Sequence, residues 1–547
     1  MKAVLGATAT ITTIFVIVLG LPYGALIQAA LADTSALHGL PLTPLLTSSA
    51  IALIATLATT ALGTIGALAA TRCGRMGVVT LDMMLLFQLT VPHPVIGAGW
   101  KVILGRTGVL PWPLTDDFTG LTALTFTFIT SFLPLAYFAQ RTALALIDAR
   151  EVNAARLGGA HGWSLFRLIY LPRLALFTPA ICVFTFSAIL SDPITPNIIA
   201  PRTPIVATTI WFSSHSYGNQ GEEAWLALLL TLPILAVFGL AAAYYMRLLR
   251  RMPGIIQLIR TTHRTPEPGR EHAIGATTRT PQWILACGIA FSATFLTLAT
   301  HRGITEGGQP PIGDAVMNTV GLSFIVLICS LALSATALAA RATSGNHLGW
   351  IGRRLIDATF ALIATAPGAT IGCGLRIIAT QPSLDSPANP AAAFTAVVLA
   401  CLPSSLAITY FLLVYIGPLM SQGEYLTALL QGVGPIRATT SIVLPRSAHL
   451  LILGFLAVFS NTTVLAVPLL WVSTPDTPLL ILRLFMLLDA ANYPAALSIS
   501  ITVSLFIVGI AAIVGVGVGG VGVGVGGVGN RRGVDTHWRK DHQPWQQ

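Results

Sequence analysis

The sequence predicts an all-α polytopic membrane protein, about 12 transmembrane helices arranged as two homologous six-span halves. Three observations predict it. Only 9% of the 547 residues are charged and 54% are hydrophobic, against roughly 25% charged in a soluble domain. Apolar runs near the ~20 residues needed to cross a hydrocarbon core recur along the chain, separated by short polar joins. A moderately polar stretch, E-V-N-A-A-R-L-G-G-A-H-G-W-S-L-F-R-L-I-Y-L-P-R from Glu151 to Arg173, returns as E-Y-L-T-A-L-L-Q-G-V-G-P-I-R-A-T-T-S-I-V-L-P-R from Glu424 to Arg446. The second copy follows the first by half the chain, so the chain reads as a duplication.

Taken in order, the first apolar stretch runs from Ala3 to Leu31 behind Lys2. It ends in Ala30-Leu31-Ala32, a triplet of the kind signal peptidase accepts. Its apolar run exceeds the ~7–15 residues of a signal h-region, so it reads as a retained span. Spans two to six fall near 47–70, 77–100, 119–140, 174–191 and 224–246. They complete a first half over 1–246, with the repeated stretch in a loop at 141–173. Residues 247–282 form a basic, proline-containing linker with seven arginines. The second half, 283–514, places spans near 283–300, 316–340, 355–379, 393–416, 447–470 and 494–514, with its loop at 417–446. The tail, 515–547, is a Gly/Val alternation followed by a basic end. Low complexity of this kind builds no packed core and reads as an extension of the last span.

The charges orient the chain. With the amino terminus inside, 24 of the 30 Lys and Arg residues fall on inner segments, leaving Lys101, Arg106, Arg202, Arg302, Arg376 and Arg483. That bias is the positive-inside rule. It accounts for the net charge of +10 without a nucleic-acid partner. It also puts both repeat loops and both termini in the cytoplasm.

A second match joins spans three and nine. Asp82, Pro92, Ile96, Gly97, Gly99 and Lys101 correspond, in order and spacing, to Asp357, Pro367, Ile371, Gly372, Gly374 and Arg376. Proline bends a membrane helix, and I-G-x-G lets a neighbouring backbone come close. Packing is one reading of these residues. A bent helix lining a pathway between repeats is the other, so Pro92, Gly97, Gly99, Lys101, Pro367, Gly372, Gly374 and Arg376 are pathway candidates. At the outer ends of these spans, Lys101 and Arg376 either snorkel to the interface or pair with acidic groups of a docked protein. The six cysteines are scattered, with no C-x-x-C, and read as small buried residues. No phosphate-cradling G-x-x-x-x-G-K-[ST], no metal cluster and no G-x-S-x-G nucleophile occurs, so the sequence offers no catalytic residue and no cofactor or metal site.

The repeated stretch resembles the cytoplasmic loop of ABC importer permeases: E-A-A, three residues, Gly, nine residues, then I-x-L-P. The first copy matches at Asn153, Ala154, Ala155, Gly159, Ile169, Leu171 and Pro172, with Asn in place of the Glu. The second matches at Gly432, Ile442, Leu444 and Pro445, but reads Leu426, Thr427 and Ala428 where E-A-A is expected. The resemblance implies the type I ABC importer permease fold, a place in the inner membrane of a bacterial cell, and a chain that is not itself an enzyme. Each loop would dock on one subunit of a separate ATPase dimer, where ATP is bound. Substrate would arrive on an extracytoplasmic binding protein. A fused double permease of this length looks like the iron(III), thiamine or aminoethylphosphonate branch. Ser191-Asp192-Pro193 to Trp211, and Phe459 to Leu482, resemble the outer region of iron(III) permeases, so iron(III) is the expected cargo. Arg72-Cys73-Gly74-Arg75 also resembles part of the major-facilitator signature, but Thr71 stands where that signature has Asp.

Overall fold

The computed structural model describes residues 12–71, 73, 75–105, 118–145, 147, 149–215, 220–251, 313–343, 347–379, 390–413, 427–438, 441, 448–464, 467–472 and 478–528. Among the described residues there is helix and no strand. The expected span near 283–300, almost all of the linker and the basic end lie outside them, as do Leu426, Ile442, Leu444 and Pro445.

The first half runs α1 (Thr12–Ala32), α2 (Leu42–Ala70), the pair α3 (Arg75–Thr90) and α4 (His93–Leu104), and α5 (Leu121–Ala145). It continues with α6 (Ala149–Leu157), α7 (Gly162–Ser191), α8 (Ile194–Ile199), α9 (Val206–His215) and α10 (Gln220–Arg251). The second half shows α11 (Gly313–Thr343), the pair α12 (His347–Thr365) and α13 (Gly368–Ala379), α14 (Pro390–Phe411) and α15 (Pro435–Ala438). It closes with α16 (Ala448–Val464), α17 (Val467–Val472), α18 (Leu480–Asp489) and α19 (Tyr493–Val528). Helix order repeats between the halves. The pair α12–α13 answers α3–α4, and the run α17, α18, α19 answers α8, α9, α10.

Among the described residues eight helices are long and apolar enough to cross a membrane, or ten if each bent pair is one span. These suit a multi-pass protein in a lipid bilayer. Leu46, Ile54, Leu57, Leu240, Met317 and Phe506 point outward from them, more than half exposed, as lipid-facing side chains do. Between helices, small residues let backbones meet: a Cβ on Gly63 of α2 would lie 2.6 Å from Ala136 Cβ of α5. Hydroxyls inside the spans bond to the preceding turn, as Thr60 does to the Thr56 carbonyl (2.8 Å), or across helices, as Ser334 does with Thr409 (2.9 Å). One apolar core runs through both halves, from Ile96 and Ile199 to Ile371 and Trp471.

The helices depart from expectation in two places. The stretches expected to span at 77–100 and 355–379 are each two helices joined at a sharp break: α3 and α4 meet at 107°, and α12 and α13 at 83°. Pro92 has φ −59° and ψ 139°, outside the helix. A proline without an N–H cannot continue the ladder, and it turns the residue before it away from the helical region. After each break the proline carbonyl starts the next helix, accepting from Ile96 N–H (3.1 Å) and from Ile371 N–H (3.1 Å). The helix that carries span five begins at Gly162, ahead of the expected span start near 174. A π-turn at Phe166–Tyr170 directly ahead of Leu171 and Pro172 absorbs the proline, which therefore sits inside that helix. Of the stretch expected to span at 447–470, α16 and α17 are described, and residues 465–466 between them lie outside the described residues.

Candidate functional site

Each half carries a projecting loop built around one glycine. In the first, α6 ends at Leu157 and Gly159 takes φ +85°. In the second, residues 427–430 are helical and Gly432 takes φ +83°. Only glycine adopts that left-handed backbone without strain. The hydrogen bonds are the same in both copies. Gly159 N–H donates to the Arg156 carbonyl (3.0 Å) and Ala160 N–H to the Ala155 carbonyl (2.9 Å). Gly432 N–H donates to the Leu429 carbonyl (3.1 Å) and Val433 N–H to the Ala428 carbonyl (3.0 Å). This is a Schellman stop, which satisfies the last carbonyls of a helix while reversing the chain. A Cβ on either glycine would meet nothing within 4 Å, so the backbone dihedral demands glycine and crowding does not.

The loops also share what they expose. Leu157 is 91% exposed, and Leu430, at the matched position of the second copy, is 88% exposed. Asn153, Ala154 and Thr427 are exposed around them, while Ala155 is half-buried and Ala428 buried. Behind the first tip, Ile169 is half-buried, Leu171 exposed and Pro172 half-buried. His161 and Ser164 cap the next helix reciprocally, Ser164 Oγ accepting from His161 N–H at 2.9 Å.

The first loop is rooted firmly. Val152 on its inner face joins a separate apolar cluster with Val78, Leu85, Tyr137, Leu165 and Tyr170. Glu151 is a paired acid rather than a solvated one. Its carboxylate meets Arg173 at 3.0 Å, and Arg173 is 5% exposed, so α6 is tied to the span it precedes. The matched residues of the other copy, Glu424 and Arg446, lie outside the described residues.

A polar post stands near the first loop, and its counterpart recurs in the second half. Tyr137 of α5 donates its hydroxyl to Asp82 of α3 (2.9 Å), and Arg141 pairs with the same carboxylate. In the second half Tyr410 of α14 donates to Asp357 of α12 (2.5 Å). Tyr410 holds in the second repeat the place of Tyr137 in the first, a match that the sequence reading missed. The Asp82–Asp357 correspondence was its available signal.

The broken spans use their glycines for contact. Gly97 seats Ile199 and Thr127, whose atoms would be 3.1 and 3.2 Å from an added Cβ. Gly372 seats the Pro468 backbone (2.9 Å), and Gly374 seats the backbone of Pro22 on α1 more closely still. Gly99 is buried in α4. The Lys101 ammonium lies 5.7 Å from the Tyr493 ring centroid. Arg376 pairs inside the chain with Glu223, which sequence reading also missed; an acid at the start of an apolar span was the available signal. Asp192, in the Ser191-Asp192-Pro193 stretch, is buried and caps α8 through the N–H groups of Ile194 (2.9 Å) and Thr195 (3.2 Å). Among the described residues no group of three or more His, Cys, Asp or Glu side chains is placed to hold a metal.

No protein-family model, no curated protein and no solved structure matches this chain. The loops and the broken spans therefore carry the functional reading by themselves.

Proposed function

We propose that the chain is the fused double-permease subunit of a binding-protein-dependent ABC importer, with type I permease architecture in both halves and iron(III) as its cargo. The supporting observation is the pair of glycine-stopped loops, alike in hydrogen bonding, each presenting an almost fully exposed leucine. A large apolar side chain at the tip of a polar projection asks for a partner's groove. Two such tips in one chain suit an ATPase dimer, which offers the same groove twice. The charge bias supports a position for both loops on the cytoplasmic face of a cell membrane. ATP is bound and hydrolysed by the ATPase, and an extracytoplasmic binding protein delivers the cargo. The iron(III) choice rests on the stretches after spans five and eleven; thiamine and aminoethylphosphonate are the alternatives.

The test is co-purification from native membranes. An ATPase carrying G-x-x-x-x-G-K-[ST] is expected with the wild-type chain and not with the Leu157→Asp/Leu430→Asp variant, at equal membrane content. Full retention of that ATPase by the double variant overturns the docking assignment.

A further inference from the structure

At the far end of the broken spans from the loops, the two halves hold each other. Glu223, in the first turn of α10, belongs to the first half, and its carboxylate is 1% exposed. Its Oε2 pairs with Arg376 on α13 of the second half, while its Oε1 accepts from the Cys373 thiol at 2.9 Å. The Arg376 side chain is 22% exposed, so the pair sits at the edge of the buried region, with the cation reaching outward. At the matched position Lys101 of α4 lies over Tyr493, the first residue of α19 in the other half. Each cation rides on a helix that follows a proline break, and each reaches the start of the opposite half's last span.

We propose that Glu223 and Arg376 form a reversible clasp that closes the outer face between the halves, with Lys101 and Tyr493 as its weaker counterpart. The physical reason lies in desolvation. Burying two charges cancels much of their attraction, so a buried pair adds little net stability over water-solvated ions but strongly favours one arrangement. Such a pair can separate into water without a large penalty when both partners leave together. The proline breaks supply the joints about which α4 and α13 can move. Cys373 is fully buried behind the pair and reports its opening.

The experiment keeps Cys373 and replaces Cys73, Cys182, Cys287, Cys329 and Cys401 by Ser. A membrane-impermeant methanethiosulfonate is then applied to the outer face of intact cells. Arg376→Gln is expected to label about tenfold faster than its parent, because local opening exposes the sulfur. Electrostatics alone works the other way, since removing a cation disfavours the reactive thiolate and slows labelling. The charge-swapped Glu223→Arg/Arg376→Glu variant is expected to return to the parental rate. Labelling of Arg376→Gln at or below the parental rate overturns the clasp. Where that variant fails to reach the membrane, Arg376→Met removes the charge with a side chain of similar reach, and a rate at or below the parental one there overturns it equally. Labelling needs neither ATPase nor cargo, so its outcome is independent of the importer reading.

Discussion

Helices α4 and α13 occupy matching places behind matching prolines, yet different chemistry holds them across the halves. The α12–α13 pair is fixed into the first half by the Pro22 backbone at Gly374, by Thr370 donating to the Ala227 carbonyl (3.0 Å) and by the Glu223 ion pair. The Thr365 carbonyl, freed just before the break, accepts from Ser187 at 2.7 Å. On α4, Gly97 and Trp100 are engaged within their own half, Trp100 Nε1 donating to Thr130 Oγ1 at 3.1 Å. Among the described residues α4 crosses to the other half through Lys101 over Tyr493 and through packing on α18 and α19. Duplication thus sets where a span breaks. It does not set what secures the piece beyond the break.

The largest expected effect contrasts the two cations. Arg376→Ala leaves the buried Glu223 carboxylate without its cation and is expected to destabilise the detergent-solubilised protein by about 3–5 kcal/mol. Lys101→Ala loses a cation–π contact of about 0.5–1 kcal/mol. Heat-induced loss of folded protein compares them, and equal losses would break the contrast.

A smaller difference is expected at the glycines. An added methyl on Gly374 meets the Pro22 backbone, which cannot step aside, and is expected to cost about 1–3 kcal/mol. On Gly97 it meets the side chains of Ile199 and Thr127 at 3.1 Å or more, and these can shift slightly to make room. Gly374→Ala should therefore lower the midpoint of thermal unfolding further than Gly97→Ala does. The reverse order would place the tighter seat in the first half.

Much of this organisation is legible in the chain, because it is local. Apolar runs of span length, the glycine stop of each loop and the prolines of spans three and nine act through neighbouring backbone. The early start of the helix that carries span five is hidden because Pro172 normally marks a helix beginning, and a π-turn ahead of it is a cooperative adjustment without a residue signature. The partners of Arg376, Gly374 and Arg173 are hidden for another reason. Glu223 is remote from Arg376 along the chain, and only tertiary packing brings them together. Arg173 matched Arg446 as a motif residue, while its bond to Glu151 depends on how α6 folds back on α7.

The proposed transmission of ATPase work through both loops is measured most directly by cargo uptake. Gly159→Val and Gly432→Val each place a β-branched residue where φ is +85° and +83°; Asp tolerates that region better and is the weaker probe. Each variant, at wild-type membrane content, is expected to lose most ATP-driven uptake of radioactive iron(III) into proteoliposomes reconstituted with the ATPase and binding protein. Wild-type uptake in either variant would contradict the claim.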